Sequence, residues 1–338
     1  MQAYLLRRFL LSIFTIWAIS VLAFVIIELP EGDIASKRID RTVSSTNSAA
    51  SAHEMIDDLR RYLQLDRPMY VRYSYWIWNM FRHGDLGRSF GDGDWGILNQ
   101  QPVKEVLADR LWTTIALTGF TIIVTWTFAI PIGIYTAVRQ HSVGDYVFTF
   151  VGFTGLAVPD FLLGLVLMYL FFAYFDMNVG GLFSAKYSNA PWSLGKVQDL
   201  IDHLWIPALV LGSSGTAGLI RVMRNNLLDE LSKPYVVTAR SKGVPPIRLI
   251  LKYPVRVAIN PLISTVGYLL PALVSGSVIV SVVLSLPTIG PVLLEAIIGE
   301  DIYLAGFVVL LLGLLTVVGT FISDILLAVV DPRVKLIE

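Results

Sequence analysis

Six long apolar stretches decide what this chain can fold into. A helix needs about 20 apolar residues to cross roughly 30 Å of hydrocarbon. Residues 9–27, 111–137, 146–175, 204–223, 258–286 and 303–330 meet that requirement. The apolar residues come in blocks, not in the periodic stripes of amphipathic core helices, so the blocks are the fold. Only 15% of the 338 residues are charged and 55% are hydrophobic, against roughly 25% charged in soluble domains. The expected fold class is therefore all-α, a polytopic membrane protein of six transmembrane helices.

The first apolar run follows Arg7 and Arg8 and is similar to a signal peptide. It is longer than an h-region of about 7–15 residues and no small-residue cleavage site follows, so it is expected to stay as an anchor. Lysine and arginine in short loops set orientation. Arg7, Arg8, Arg139, the run from Arg221 to Arg256, Arg333 and Lys335 gather on one side, whereas the later loops of the other side offer Lys186 and Lys196. Both termini are thus expected in the cytoplasm of a multi-pass inner-membrane protein. The chain divides into 1–29, an amino terminus with the first span; 30–110, an extracytoplasmic (periplasmic) segment; 111–331, a five-helix core containing a cytoplasmic loop at 221–257; and 332–338, a cytoplasmic tail.

Within the outer segment, residues 39–53 are mostly small and polar and read as a loop, and 54–65 carry a helical pattern. Pro68 restarts the chain, and Tyr70, Tyr73, Tyr75, Trp76, Trp78 and Phe81 crowd the next stretch. Two readings stand for these aromatics: a belt at headgroup level, or a contact surface for an extracytoplasmic partner centred on Tyr73, Trp76 and the nearby Asp85. Inside the spans, Pro131, Pro159, Pro207 and Pro271 mark kinks, and the glycines mark close helix contacts.

Several chemistries are excluded or unsupported. Cysteine is absent, which removes disulfides, thiolate metal sites and cysteine nucleophiles. Zero net charge leaves no basic footprint for nucleic acid. No G-x-x-x-x-G-K-[ST] phosphate loop occurs, and His53, His83, His141 and His203 read as solvated loop residues without metal-ligand spacing. No catalytic residue and no metal site is expected. A carrier driven by protons or sodium needs intramembrane ionisable groups. Asp160, after Pro159, is the one deep inside a span, where it is expected to cap a broken helix or pair with an arginine. Thr118, Thr125, Ser213, Ser214, Ser275 and Ser277 are candidates to line a pathway, although hydroxyls also bond helix to helix.

The loop from Arg221 to Pro261 is the most informative segment. Gly243 suits the left-handed position that closes a helix over about 235–242. Pro245 and Pro246 force a new start, and a second short helix is expected to present Ile247, Leu249, Ile250 and Leu251 beside Arg248 and Lys252. Such an element either inserts into a groove on a partner or rests on anionic headgroups; physics alone leaves both open.

The loop Pro234-Tyr-Val-Val-Thr-Ala-Arg-Ser-Lys-Gly-Val244 resembles the signature of membrane subunits of bacterial binding-protein-dependent ABC importers, specifically the B-type permease of dipeptide and oligopeptide systems. The opening Tyr-Leu-Leu-Arg-Arg-Phe-Leu-Leu, Leu63-Gln-Leu-Asp-Arg-Pro68, Gly84-Asp-Leu-Gly-Arg-Ser89, Pro102-Val103 and Asp331-Pro-Arg333 are similar to the same family in the same order. The resemblance implies the type I ABC importer transmembrane fold. It makes the loop a coupling helix received by an ATPase, with Tyr235, Thr238, Ala239, Arg240, Lys242, Gly243 and Arg248 as coupling residues. It implies a second homologous permease subunit in a heterodimer, two ATP-binding subunits carrying ATP and Mg, an extracytoplasmic solute-binding protein and the surrounding membrane lipid as partners. No cofactor is expected on this chain and no nucleic acid among its partners. Its work is non-enzymatic, alternating-access import of peptides. Two departures, an inserted Glu31 in the family's P-G-D and Leu286-Pro-Thr-Ile-Gly290 in place of W-P-G-x-G, fall toward the substrate side. Relatives that look to carry oligosaccharides keep that cargo open. A secondary carrier without ATP predicts buried charged pairs or a ring of pore charges, and the spans show neither. A membrane scaffold is the third reading.

Overall fold

A computed structural model describes residues 2–28, 66–89, 101–175, 180–188, 190–276, 278–299 and 301–330. The expected loop at 39–53, the helical pattern at 54–65 and the closing Asp331-Pro-Arg333 lie outside the described residues. Helices α1 (Gln2–Glu28) and α2 (Met69–His83) are followed by a two-residue antiparallel pair, β1 (Arg88–Ser89) with β2 (Gln101–Pro102), Arg88 facing Pro102. Then come α3 (Val103–Val138), α4 (Val143–Ala157), α5 (Asp160–Phe175) and α6 (Leu194–Leu231). Three short helices, α7 (Pro234–Ser241), α8 (Pro246–Lys252) and α9 (Pro254–Ala258), lead into α10 (Asn260–Gly276), α11 (Val278–Val283), α12 (Ile289–Ile298) and α13 (Ile302–Val330).

Four helical segments among the described residues are long and apolar enough to cross a membrane: Leu6–Val25, Val103–Val138, Leu194–Leu231 and Leu304–Val330. The stretch 146–175 is not one straight span, because α4 and α5 meet at 103°. Pro159 explains the break: it disfavours helical backbone at Val158, which is extended (φ −86°, ψ 123°). In the stretch 258–286, α10 and α11 lie on either side of residue 277, which is outside the described residues. By contrast α3 and α6 outrun their apolar cores, at 36 and 38 residues, or about 54 and 57 Å at 1.5 Å per residue. The early start of α6 is set by Ser193, whose hydroxyl accepts from the Lys196 amide at 3.2 Å. This puts His203 inside α6, its Nδ1 2.7 Å from the Asp199 carbonyl, and not in the expected loop. Lys196, counted above as a loop charge, is buried: its ammonium donates to the Ala190 carbonyl at 2.6 Å and stands 4.8 Å from the Phe183 ring centre.

The chain forms two compact units. One comprises Met1–Ser12, Trp112–Pro291 and Leu314–Glu338. Its centre is α6, against which the bent α4–α5 pair is packed through glycines. A Cβ on Gly155 would lie 3.6 Å from the Ser213 carbonyl, and one on Gly164 would lie 3.7 Å from Val210. On α3, Gly133 lets α6 approach so closely that a Cβ there would stand 2.7 Å from the Met223 Cβ. One apolar core joins Leu117, Leu200, Val210, Leu211, Val280 and Leu284; a second joins Ala129, Leu219, Met223, Leu227, Ala258 and Leu262. The segment after α11 is pinned to α3: the Thr113 hydroxyl donates to the Pro287 carbonyl at 2.6 Å, and the Ile289 amide donates to Thr114 at 2.9 Å. Gly290 is closely packed, since a Cβ there would come 3.1 Å from the Val278 Cα.

The other unit comprises Ile13–Leu111 and Val292–Gly313. Here the G-D-L-G-R-S motif acts as a sequence of backbone devices. Gly84 ends α2 at φ 62°, the Asp85 carboxylate accepts from the Gly87 amide at 3.0 Å, and Gly87 turns at φ 89°. Ser89 then donates to the buried Asp301 carboxylate at 2.7 Å, which also caps α13 through the Leu304 amide at 3.2 Å.

Candidate functional site

Three successive prolines divide the loop after α6 into helices. Pro234, Pro246 and Pro254 each occupy a first helical position, where the missing N–H costs nothing and the fixed φ suits the helix. The C-terminus of α7 is a Schellman motif: the Val244 amide donates to the Ala239 carbonyl at 3.4 Å and the Gly243 amide to the Arg240 carbonyl at 3.0 Å. Gly243 sits at φ 75°, as its residue type led us to expect, and has no atom within 4 Å of a built Cβ. Its requirement is backbone conformation, not space.

Val236, Ala239 and Leu249 form a small buried cluster, with Val244, Ile250 and Tyr253 packed against it. This corrects two expectations. Leu249 is 3% exposed and faces inward, as Ala239 does; the side chains presented outward are Val237, Ile247 (76% exposed) and Leu251. Tyr235, Thr238, Arg240, Lys242 and Arg248 are exposed around them. The result is a two-helix element that presents exposed apolar side chains together with the exposed cations Arg240, Lys242, Arg248 and Lys252, outside the spans. It is fixed to α6 at one end, where the Tyr235 hydroxyl donates to the Glu230 carboxylate and the Ser232 hydroxyl to the Asp229 carbonyl at 2.9 Å. At the other end α9 packs on α6 through Ala258 and Val255, and Arg256 Nε donates to the Val330 carbonyl at 3.4 Å.

An ion pair missed in the sequence lies near the same end of the unit. Arg224 grips Asp145 with two bonds, Nε to Oδ1 at 3.2 Å and Nη2 to Oδ2 at 3.1 Å. The Asp145 carboxylate, almost wholly buried, also accepts from the His141 amide at 2.9 Å. Arg224, Asp145, Tyr146, Thr149, Phe153 and Arg221 line a cavity of about 500 Å³. The two partners are 79 residues apart, which hides the pair from sequence. Its one local signal is Ser142 three residues before Asp145, the spacing of a helix cap: the Asp145 amide donates to Ser142 at 3.2 Å. A second pair joins Arg8 and Asp324 at 3.3 Å. Both lie near helix ends and are not linked in a chain as a proton relay requires.

The pathway candidates separate. Thr118 and Thr125 are buried between helices, Thr125 so close to α6 that a Cβ on Gly212 would meet its Oγ1 at 2.7 Å. Both are withdrawn from the surface, and Thr125 meets α6. Ser213 and Ser214 are half-buried, and the hydroxyl of each lies 3.3 Å from the Asp160 carboxylate. Asp160 opens α5, as a cap on a broken helix would, but no arginine among the described residues meets it. Ser275 is carried by α10, and Ser277 lies outside the described residues. In the other unit Tyr73 and Trp76 turn toward α1 and not outward. Tyr73 shares a 2.7 Å hydrogen bond with Ser20, and the two rings stand 5.5 and 5.7 Å from Phe24. The outward aromatics of α2 are Tyr70, Tyr75, Trp78 and Phe81. Asp85 is exposed, with its carboxylate engaged in the local turn. Among the described residues no cluster of histidine and carboxylate side chains could hold a metal ion.

Long apolar helices, with a capped two-helix element fastened to a central helix outside them, define a polytopic helical membrane protein. The chain belongs to the family of binding-protein-dependent transport system inner membrane components, whose description matches residues 129–336, with the N-terminal part of the same family matching 1–118. It is a permease subunit of the binding-protein-dependent ABC importer type. Among its relatives, the oligopeptide transport system permease protein AppB of Bacillus subtilis is 33% identical over 99% of this chain and 100% of that protein. The dipeptide transport system permease protein DppB of Escherichia coli is 28% identical over 99% of both chains. A chain of the MetNI methionine ABC transporter, solved in inward-facing conformations, shares the fold with a TM-score of 0.53 and 17% identity, covering 68% of this chain and 99% of that one.

Proposed function

We propose that this chain forms one half of the pathway of an ATP-driven importer of peptides, as the relatives named for oligopeptides and dipeptides suggest at full length. An extracytoplasmic binding protein delivers cargo, a second homologous permease completes the pathway as a heterodimer, and two ATPase subunits carry ATP and Mg. This chain binds neither and performs no hydrolysis. Both termini lie in the cytoplasm, together with the loop of α7 and α8.

The observation that carries the coupling role is the pairing of an outward apolar patch with a rigid root. Ile247, Leu251 and Val237, exposed together with Arg240, Lys242 and Arg248, suit a groove on a partner. Tyr235–Glu230 and the packing of α9 on α6 make that patch move with α6 rather than swing freely. Closure of the ATPases on nucleotide then shifts the coupling helices, and the permease opens on alternate faces. Reconstitution of all the subunits in liposomes tests this. Labelled peptide should enter only with ATP and binding protein present, and the double substitution Ile247→Asp, Leu251→Asp should release the ATPases from the purified complex. Uptake that persists without ATP, or ATPases that remain bound to the double variant, would refute the proposal.

A further inference from the structure

Asp160 is the only charged residue in the stretch 146–175, and 204–220 of the facing helix holds none. Its hydroxyl neighbours, Ser213 and Ser214, lie close to the middle of the 38-residue α6, about 26–30 Å from either end at 1.5 Å per residue. The carboxylate therefore lies at the depth of the hydrocarbon, where such a group is costly and faces either a partner charge or a watery space.

No cationic side chain meets it among the described residues. Nor do the serines satisfy it. A hydroxyl has one proton, and Ser213 stands closer to the Val210 carbonyl, at 2.9 Å, than to Asp160, at 3.3 Å. That leaves Ser214, also at 3.3 Å, as the donor committed to a carboxylate with about four acceptor positions. The neighbouring positions on both helices are open: built Cβ atoms on Gly215 and Gly218 meet nothing within 4 Å, and Pro159, Phe161 and Leu162 are exposed.

We infer that Asp160 is a specificity-determining residue of the pathway, an unfilled acceptor that receives the protonated amine of the passing peptide. The inference rests on the peptide reading given above. Long bonds and a floor of glycine and serine suit a hold that is brief, because a translocation site must release what it binds. A permanent cation from the second permease subunit has the same chemistry, and the experiment separates the two.

The complete transporter is reconstituted, and uptake is compared for a peptide with a free amino terminus and its N-acetylated form, chosen so that the binding protein holds both. In D160N the ratio of free-amine to acetylated uptake should fall roughly tenfold, the loss expected for one charge-assisted hydrogen bond. D160E should retain part of that ratio. An unchanged ratio in D160N overturns the inference, and so does loss of the second permease from the D160N complex, which would assign the carboxylate to subunit pairing. If the wild-type transporter moves neither peptide, the peptide reading falls and the amine assignment falls with it; if it moves both and only the D160N ratio is unchanged, the assignment alone fails.

Discussion

Replacing Gly243 separates two ways in which the coupling element could depend on a glycine. At φ 75° an alanine is strained, yet its Cβ would find no atom within 4 Å. The penalty is then the left-handed backbone alone, about 1–2 kcal/mol for a residue with a Cβ. That penalty falls on the Schellman bonds from Gly243 and Val244 that fix the turn between α7 and α8. If the docked form is the capped form, ATPase association weakens by about 5- to 30-fold. Asparagine is larger than alanine but tolerates the left-handed region, so Gly243→Asn should bind the ATPases several-fold better than Gly243→Ala. Co-purification of ATPase subunits with each variant, read against concentration, measures the order. If alanine binds as well as glycine, the backbone argument is wrong; if asparagine is worse than alanine, the partner is measuring side-chain volume at 243 and the backbone argument is wrong as well.

Gly133→Ala forces a Cβ to within 2.7 Å of the Met223 Cβ, and such overpacking costs about 1–3 kcal/mol; the midpoint of thermal unfolding in detergent should fall. Arg224→Ala strands the buried Asp145 carboxylate, with an expected loss of about 3 kcal/mol, visible in the same assay; replacing both partners by apolar residues of similar size should recover much of it. Photocrosslinkers at Trp78 and Phe81 should capture the binding protein or lipid, whereas crosslinkers at Tyr73 and Trp76 should react within the chain, because those rings pack on Phe24. Efficient capture of the binding protein from Tyr73 would contradict the orientation of α2.

The sequence disclosed the spans through bulk apolarity, and the cap at Gly243 through a residue type that few other conformations require. Its errors share a cause, which is direction. The stretch 146–175 has the composition of one helix, and only the consequence of Pro159 for Val158 turns it through 103°. Tyr73 and Trp76 stand out as aromatic, but the i, i+3, i+7 spacing of Tyr73, Trp76 and Met80 marks one face of a helix and is a sign that they pack. Thr118 and Thr125 likewise share one face of α3, which the structure buries against α6. The Arg224–Asp145 pair had no comparable signal, since its geometry depends on how α4 crosses α6.

The two parts of the candidate site are connected by α6. Glu230, which fastens α7, and Ser214, which donates to Asp160, are 16 residues apart on that helix, about 24 Å along its axis. Their separation changes little if the helix moves as a rod. Asp160, however, belongs to α5, across a break, and is joined to Ser214 by a bond already 3.3 Å long. A shift of about 1–2 Å in packed helices carries that bond beyond hydrogen-bonding range, so motion imposed at the coupling patch should expose or cover the Ser214 side chain. The absence of cysteine from the sequence makes this directly measurable: Ser214→Cys supplies the one thiol of this subunit for reaction with a small maleimide. Its reactivity in the assembled transporter should differ several-fold between nucleotide-free and ATP-trapped states, and removal of the patch by Ile247→Asp, Leu251→Asp should abolish the difference. Equal reactivity in both states would mean that α6 does not carry the motion, and that α10 and α11, joined to the same loop through α9, must do so instead.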